Sequence, residues 1–194
     1  MHARFLKSAA GADGFPEDSG VEVAVVGRSN SGKSSAINAI LGRAGLARVS
    51  KTPGRTQLVN FFDLGAGRRL VDLPGYGFAR VPDRIRAEWR DLVDAYFASR
   101  RSLIGLIVTV DVRRGLKDSD RVLLGFAGEL GLAVSILLTK ADKLSRGAGA
   151  ARRLELEAEL GEGTGVTLFS AQDGTGVEAA RTGLEAWLGS RAKA

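Results

Sequence analysis

The sequence contains no cysteine among its 194 residues. Disulfide bonds and cysteine-ligated zinc sites are therefore excluded, and a reducing compartment is expected. No apolar stretch approaches the roughly 20 residues that a membrane-spanning helix requires. The first residues also lack the apolar centre of a signal peptide. Together these absences predict a cytoplasmic protein that does not enter a membrane.

Acidic residues are too few to balance the basic ones, and the net charge is +6. The excess is local, because residues 43–121 hold sixteen Lys and Arg against nine Asp and Glu. Such a basic segment is typical of a protein that contacts nucleic acid or another polyanion. Composition alone equally allows an ordinary solvated surface.

Apolar runs alternate with segments of helical periodicity along the chain. Continuous runs at 21–26, 103–110 and 133–138 suit strands that are buried on both faces. Helices are predicted at 33–43, 83–99, 119–130, 146–160 and 176–188. This order predicts a three-layer α/β/α fold with a mostly parallel sheet. A hairpin over 58–72 supplies the one antiparallel pair, and residues 1–20 form an arm packed on the domain.

The most informative stretch is a G-x-x-x-x-G-K-S string between the first apolar run and the first helix. Its residues are Gly27, Arg28, Ser29, Asn30, Ser31, Gly32, Lys33, Ser34 and the following Ser35. Glycines let successive amides face one anion, and the helix N-terminus adds partial positive charge. Lys33 would reach the β- and γ-phosphates, and the Ser34 hydroxyl would ligate Mg²⁺. The string predicts the phosphate loop of a P-loop NTPase.

A D-x-P-G string ends the return strand of the hairpin, at Asp72, Leu73, Pro74 and Gly75. The Asp72 carboxylate could hold a water on Mg²⁺, and the Gly75 N–H could meet a γ-phosphate. Alone, such a string is a common turn. Downstream of a phosphate loop, it predicts a sensor of the γ-phosphate.

A third string identifies the base, and it consists of Thr139, Lys140, Ala141 and Asp142. The Asp142 carboxylate can accept hydrogen bonds from guanine N1–H and the N2 amino group, which adenine does not offer. The Lys140 stem can cover the base plane. Phe169 ends the last predicted strand, and Ser170 and Ala171, which follow it, can supply a backbone N–H to guanine O6. These residues predict binding of GTP and GDP by a domain over residues 21–194.

The strings G-R-S-N-S-G-K-S-S, S-K-T-P-G-R-T-Q, V-D-L-P-G-Y-G and T-K-A-D-K-L resemble the EngB/YihA/YsxC family of bacterial ribosome-assembly GTPases. The resemblance covers essentially the whole chain. It implies a small-GTPase-like domain with Mg²⁺ as cofactor. It also implies assembly of the large ribosomal subunit, contact with rRNA, and a role in normal cell division and septation. A monomer is the default expectation.

The same resemblance adds a threonine loop to the site, with Gly54, Arg55, Thr56, Gln57 and Leu58. It makes Thr56 the second Mg²⁺ ligand beside Ser34, with Thr52 as the competing choice. The catalytic set is then Lys33, Thr56 and Gly75.

Hydrolysis is expected to be slow. Tyr76 stands where Ras-like proteins carry a water-orienting glutamine, and the single histidine, His2, is far from every motif. Turnover on the order of 10⁻³ per second or less is expected. Asn30 resembles the asparagine of potassium-activated GTPases and could hold K⁺ beside the phosphates. It could equally hydrogen-bond its own loop.

Three alternatives remain at this stage. A P-loop phosphotransferase would leave T-K-A-D and D-L-P-G without a role. A GTPase of another RNA pathway would normally bring a further domain. A GTP-dependent RNA-binding module with negligible turnover would share every binding residue. As a further hypothesis, rRNA would meet a basic surface that comprises Arg84, Arg86, Arg90, Arg113 and Arg114.

Overall fold

The fold is described by a computed structural model that covers residues 2–47, 58–76, 83–161 and 163–190, with the backbone alone at 83–86, 88 and 89. Seven strands form one sheet: β1 (Arg4–Ala9), β2 (Val21–Gly27), β3 (Val59–Asp63), β4 (Arg68–Asp72), β5 (Leu103–Asp111), β6 (Ala133–Thr139) and β7 (Gly165–Leu168). The helices are α1 (Lys33–Leu41), α2 (Asp83–Ser99), α3 (Asp118–Glu129), α4 (Arg146–Leu160) and α5 (Val177–Ser190). Short 3₁₀ turns lie at Ala12–Gly14 and Ala141–Lys143.

The strand order is β1-β3-β4-β2-β5-β6-β7, and only β3 runs against the others. The predicted mostly parallel α/β/α fold is therefore confirmed, including the β3–β4 hairpin. A second antiparallel pair joins β1 to β3. Residues 4–9, assigned from sequence to an arm packed on the domain, thus form an edge strand of the sheet. An edge strand buries little surface, so its sequence lacks the apolar alternation that marks the inner strands.

The sheet separates two cores because successive side chains of β2 point to opposite faces. Val23 and Val25 pack with α1 and α5, whereas Ala24 and Val26 pack on the side of α2, α3 and α4. All four side chains are buried. With apolar residues on both faces, β2 is a central strand whose carboxyl end has a fixed position.

Helices α2 and α5 dock through the residues that helical spacing predicts. Leu92, Val93, Tyr96 and Phe97 of α2 are buried, which confirms that the two aromatic residues belong to the core. The side chains of the other predicted core positions, Ile85 and Trp89, lie outside the described part. In α5, Leu184 and Leu188 are buried and Trp187 packs partly buried against the same core.

A buried charge network fastens the amino-terminal segment to the sheet at the start of β2. Glu22 is 0% exposed and accepts hydrogen bonds from Arg69 Nε (2.7 Å), Arg100 Nη2 (2.5 Å) and the Tyr96 hydroxyl (3.0 Å). Arg100 also donates to the carbonyl oxygen of Pro16 at 2.7 Å. Burial and the neighbouring Glu22 carboxylate raise the pKa of Tyr96 well above its usual value. Tyr96 therefore stays protonated and donates.

Replacing Glu22 with glutamine should lower the free energy of unfolding by about 3–5 kcal/mol, because it removes the buried carboxylate that pairs with both Arg69 and Arg100. Urea denaturation would measure the change. The matched control is Glu178→Gln, whose carboxylate pairs with Arg181 on the surface. The control should stay within about 0.5 kcal/mol of the wild type. A loss below about 1 kcal/mol for Glu22→Gln would show that the network is not a stabilising unit.

Candidate nucleotide site

The phosphate loop is held against the carboxyl ends of β5 and β6 by three buried hydroxyl groups. Ser31 Oγ lies 2.7 Å from Thr109 Oγ1, and the Thr139 hydroxyl donates to the Ser31 carbonyl. A Cβ at Gly27 would overlap the Thr109 hydroxyl, so glycine is required there. Gly32 has φ +89° and immediately precedes α1, which lets the loop turn its amides toward the helix axis.

The first turn of α1 meets the end of β4. The Lys33 ammonium group pairs with the Asp72 carboxylate, and Asp72 is 4% exposed. Asn60 Nδ2 donates to the other Asp72 oxygen at 3.2 Å. Asn60 was missed by sequence reasoning, although it is the cross-strand partner of Asp72 in the hairpin register. The two phosphate motifs are thus in direct contact.

The D-L-P-G segment continues alongside the phosphate loop. Tyr76 N donates to the Gly27 carbonyl at 3.2 Å, and Ser29 N donates to the Tyr76 carbonyl at 2.8 Å. A Cβ at Gly75 would lie 3.3 Å from the Gly27 carbonyl oxygen, so the approach is close. The Tyr76 side chain is 5% exposed, and its hydroxyl donates to Asp120 Oδ1 at 2.6 Å. The phenol therefore packs into α3.

The T-K-A-D string reaches both the phosphate loop and the loop after β7. Lys140 has φ +59°, and its ammonium group donates to the Asn30 carbonyl at 2.7 Å and to Asp111 Oδ2 at 3.0 Å. Ala141 N donates to the Phe169 carbonyl at 3.1 Å. The predicted base-binding segments at 139–142 and 169–171 are consequently adjacent.

Asp142 is presented as an ionised hydrogen-bond acceptor. The Ser170 hydroxyl donates to its Oδ1 at 2.8 Å, and the Lys143 ammonium group lies 2.9 Å from its Oδ2. Lys143, and then Ser170, hold the pKa of Asp142 below its ordinary value. Oδ2 accepts no hydrogen bond of good geometry within the described part of the chain. An anionic oxygen with free acceptor capacity suits the N–H groups of guanine.

The structure brings the described candidates to one edge of the sheet, where the parallel strands end. Those at the phosphate end are Gly27, Arg28, Ser29, Asn30, Ser31, Gly32, Lys33, Ser34, Ser35, Asp72, Leu73, Pro74 and Gly75. Those at the base end are Thr139, Lys140, Ala141, Asp142, Phe169, Ser170 and Ala171. Leu58 lies just before β3. Gly54, Arg55, Thr56, Gln57 and the alternative Thr52 lie outside the described residues, so their roles stay predictions.

Sequence reasoning missed two acidic residues that organise this edge. Asp111, at the end of β5, accepts hydrogen bonds from Lys140 and from Arg113 Nη2 at 2.7 Å. Arg113, followed by Lys140, holds the pKa of Asp111 well below its ordinary value. Asp120, in the first turn of α3, binds Tyr76. Asp111 could have been found from the sequence, because it is an acidic residue at the end of an apolar run. The sequence around Asp120 contains no comparable signal.

A glycine-bounded phosphate loop before α1, an acidic strand end and a T-K-x-D string at the same sheet edge define a GTP-binding P-loop protein of the GTPase class. A family model described as "50S ribosome-binding GTPase" matches residues 22–140. The chain is 47% identical over 193 residues to "Probable GTP-binding protein EngB" of Coxiella burnetii, covering 98% of this chain and 94% of that protein. It is 50% identical over 190 residues to the protein of the same name from Nitrosococcus oceani, covering 96% and 95%. The chain belongs to the EngB family of GTPases.

Solved structures show the same fold. A crystal structure of a probable GTP-binding protein EngB superimposes with a TM-score of 0.69 at 20% identity, covering 88% of this chain and all of that one. Era in complex with MgGDPNP and nucleotides 1506–1542 of 16S rRNA superimposes with a TM-score of 0.63 at 21% identity, covering 85% and 56%. Among the helices that the structure describes, none has the length and apolar character needed to cross a membrane.

The substitution Asp142→Asn should change the base that the protein prefers from guanine to xanthine. The asparagine amide cannot accept two N–H groups, but it can donate to the C2 carbonyl of xanthine while its oxygen accepts from N1–H. GDP affinity should fall about 10- to 100-fold, as expected for the loss of a charged hydrogen bond. Fluorescent GDP and XDP titrations would measure both affinities, with the exposed Asp118→Asn as control. Unchanged GDP binding by Asp142→Asn would show that this carboxylate does not read the base.

Proposed function

We propose that this GTPase is a slow guanine-nucleotide switch that assists assembly of the large ribosomal subunit. The observation that carries the proposal is the hydrogen-bonded contact between the D-L-P-G segment and the phosphate loop, through Gly27, Ser29 and Tyr76. Any movement of Gly75 toward a γ-phosphate must act on that contact, so the segment can report which nucleotide is bound. The ribosomal partner is supported by the description of the matching family as ribosome-binding.

The candidate Mg²⁺ ligands have the chemistry that this ion prefers. Ser34 offers a hydroxyl at the start of α1, Asp72 offers a nearly buried carboxylate, and Thr56 is proposed as the second direct ligand. Mg²⁺ is usually held by one or two protein groups together with substrate phosphates and water. When bound, the ion would neutralise phosphate charge.

The catalytic proposal assigns positioning roles to this chain's own groups. Lys33 would exchange its Asp72 partner for the β- and γ-phosphates. Thr56 and Gly75 would sense the γ-phosphate and order the two switch loops. Tyr76 lacks the carboxamide that Ras-like enzymes use to orient water. Its phenol also packs against α3, where the hydroxyl group is bonded to Asp120. Slow intrinsic turnover follows, on the order of 10⁻³ per second or less.

The cellular proposal follows from charge and family. The basic segment at 43–121 would meet rRNA, and Arg90 is exposed on α2 as that requires; the side chains of Arg84 and Arg86 are not described. Era, a relative in fold, is seen with a fragment of 16S rRNA. We propose a cytoplasmic monomer comprising one GTP-binding domain over residues 21–194, with an effect on septation that follows from ribosome supply.

The ribosomal role predicts that the protein co-sediments with large-subunit particles more strongly with a non-hydrolysable GTP analogue than with GDP. Ordering of the switch segments by the γ-phosphate is the physical reason. Sucrose-cushion pelleting with GTP analogue, GDP and no nucleotide would measure it, and isolated small-subunit particles are the matched control. Equal pelleting in all three states, or none, would remove the ribosomal part of the proposal.

A second prediction concerns potassium. Asn30 has φ +63°, is exposed, and its side chain has no hydrogen-bond partner among the described residues. Its amide oxygen is therefore available to hold K⁺ beside the phosphates. GTP hydrolysis should be at least about tenfold faster in KCl than in NaCl, the effect of about 1.4 kcal/mol of transition-state stabilisation. Asn30→Ala should abolish the difference. Equal wild-type rates at equal ionic strength would exclude potassium activation.

A further inference from the structure

The loop between β5 and α3 carries three cationic side chains within residues 113–117, which we name the basic loop. Arg113 pairs with Asp111 but remains 46% exposed at its side chain. Arg114 and Lys117 are exposed, and neither forms an ion pair within the described part of the chain. Leu116, at 8% exposure, anchors the loop in the core. The loop therefore presents unneutralised positive charge from a fixed base.

Three other basic side chains, on α3 and α4, are already paired with acidic residues. Arg121 pairs with Glu159 at 2.8 Å, Arg152 with Glu155 at 2.9 Å, and Arg153 lies 3.7 Å from Glu157. The basic loop contrasts with these helices because its cations outnumber its acidic partners. Guanidinium and ammonium groups without internal counter-ions favour a phosphate backbone, which gains from the release of condensed counterions.

One hydrogen-bond chain ties the basic loop to the γ-phosphate side of the nucleotide site. The Tyr76 hydroxyl donates to Asp120 Oδ1 at 2.6 Å, and Lys117 N donates to Asp120 Oδ2 at 2.7 Å. Asp120 is 1% exposed, so both carboxylate oxygens act inside the protein. Tyr76 directly follows Gly75, so these two hydrogen bonds connect the end of the D-L-P-G segment to Lys117, the last residue of the basic loop.

A second chain ties the same loop to the base side. The Asp111 carboxylate binds Arg113 at the start of the loop and Lys140 of the T-K-A-D string. Lys140 also donates to the Asn30 carbonyl in the phosphate loop. Arg114 and Asn30 line one shallow pocket, so the basic loop borders the phosphate loop directly. Both ends of the basic loop are thus attached to nucleotide-binding elements.

We propose that the basic loop binds the phosphate backbone of an RNA, and that the Tyr76–Asp120 hydrogen bond couples this binding to the bound nucleotide. The inference rests on the proposed function, because it names the surface through which that switch would meet its RNA partner. The coupling cannot exceed the strength of one buried charged hydrogen bond, which corresponds to an affinity ratio of about 10 to 100 between GTP and GDP states.

The surface is tested with the double variant Arg114→Glu and Lys117→Glu. The probe is a fluorescein-labelled 30-nucleotide RNA hairpin, titrated by anisotropy at several salt concentrations with GTP analogue or GDP. Affinity should fall at least about tenfold, and the slope of log K against log salt should decrease by about two. The matched control is Arg152→Glu and Arg153→Glu, which reverses the same charge on α4 and should leave affinity within about twofold.

The coupling is tested with Tyr76→Phe, which removes only the hydroxyl group. The RNA-affinity ratio between GTP-analogue and GDP states should fall toward one, while the basic loop keeps its charge. Thermal unfolding and GDP titration establish that the variant is folded. A ratio unchanged by Tyr76→Phe would overturn the coupling.

The remaining outcomes separate the surface from the proposed function. If the double variant binds the RNA hairpin as tightly as the wild type does, the basic loop is not the RNA-binding surface. This holds even if the wild-type protein pellets with large-subunit particles in a GTP-dependent way. If the double variant no longer pellets with particles but binds the hairpin as the wild type does, the basic loop contacts a protein partner. That result would overturn the proposal that the loop binds RNA. Wild-type protein that fails to pellet with particles in any state would instead remove the proposed function itself.

Discussion

The nucleotide site depends on one constraint, the attachment of the phosphate loop to the ends of β5 and β6. Thr109, Ser31 and Thr139 are each less than 5% exposed, and their hydroxyl groups bond to one another or to backbone carbonyls. A buried hydroxyl without a partner is costly, so this small network favours one arrangement of the loop. The position of the phosphate loop relative to β5 and β6 depends on that arrangement.

The proposed base-binding and phosphate-binding regions share this attachment. Thr139 is the first residue of the T-K-A-D string, so the residue that holds the phosphate loop also begins the proposed base-binding segment. The ammonium group of Lys140 also donates a hydrogen bond to the Asn30 carbonyl oxygen in the phosphate loop. A displacement of β6 relative to β2 would therefore disturb both proposed binding regions together. The D-L-P-G segment contacts the phosphate loop in two ways, through the backbone of Tyr76 and through the ion pair of Asp72 with Lys33.

The sequence predicted most of the fold because inner strands and amphipathic helices carry strong periodic signals. Helix α4 was predicted at 146–160 and is found at Arg146–Leu160, where the Ser145 hydroxyl accepts from Ala148 N and marks its start. Strand β1 was not predicted, since only Ala9 of its six residues is buried. Pairing with β3, rather than any local pattern, makes this segment a strand.

The parts of the candidate site that lie within one sequence motif could be predicted. Contacts between residues from elements far apart in the sequence could not. Parallel strands that end at one edge place the three strings together. The contacts of Asp111 and Asp120 depend on which loop faces which helix, and a single sequence contains no record of that. The direction of the Tyr76 side chain is similar: position predicts a residue near the γ-phosphate, whereas the buried Asp120 acceptor draws the phenol into α3.

Burial and pairing separate two uses of arginine at opposite ends of β2. Arg100 is 7% exposed and donates hydrogen bonds to Glu22 and to the Pro16 carbonyl oxygen. Its charge is therefore neutralised inside the protein. Arg114, at the nucleotide end, is exposed and forms no ion pair with the described residues. Glu22 and Gly27 are five steps apart along β2, a distance of about 17 Å. Across that distance the basic excess of the sequence divides into charge that stabilises the sheet and charge that remains available to a polyanion.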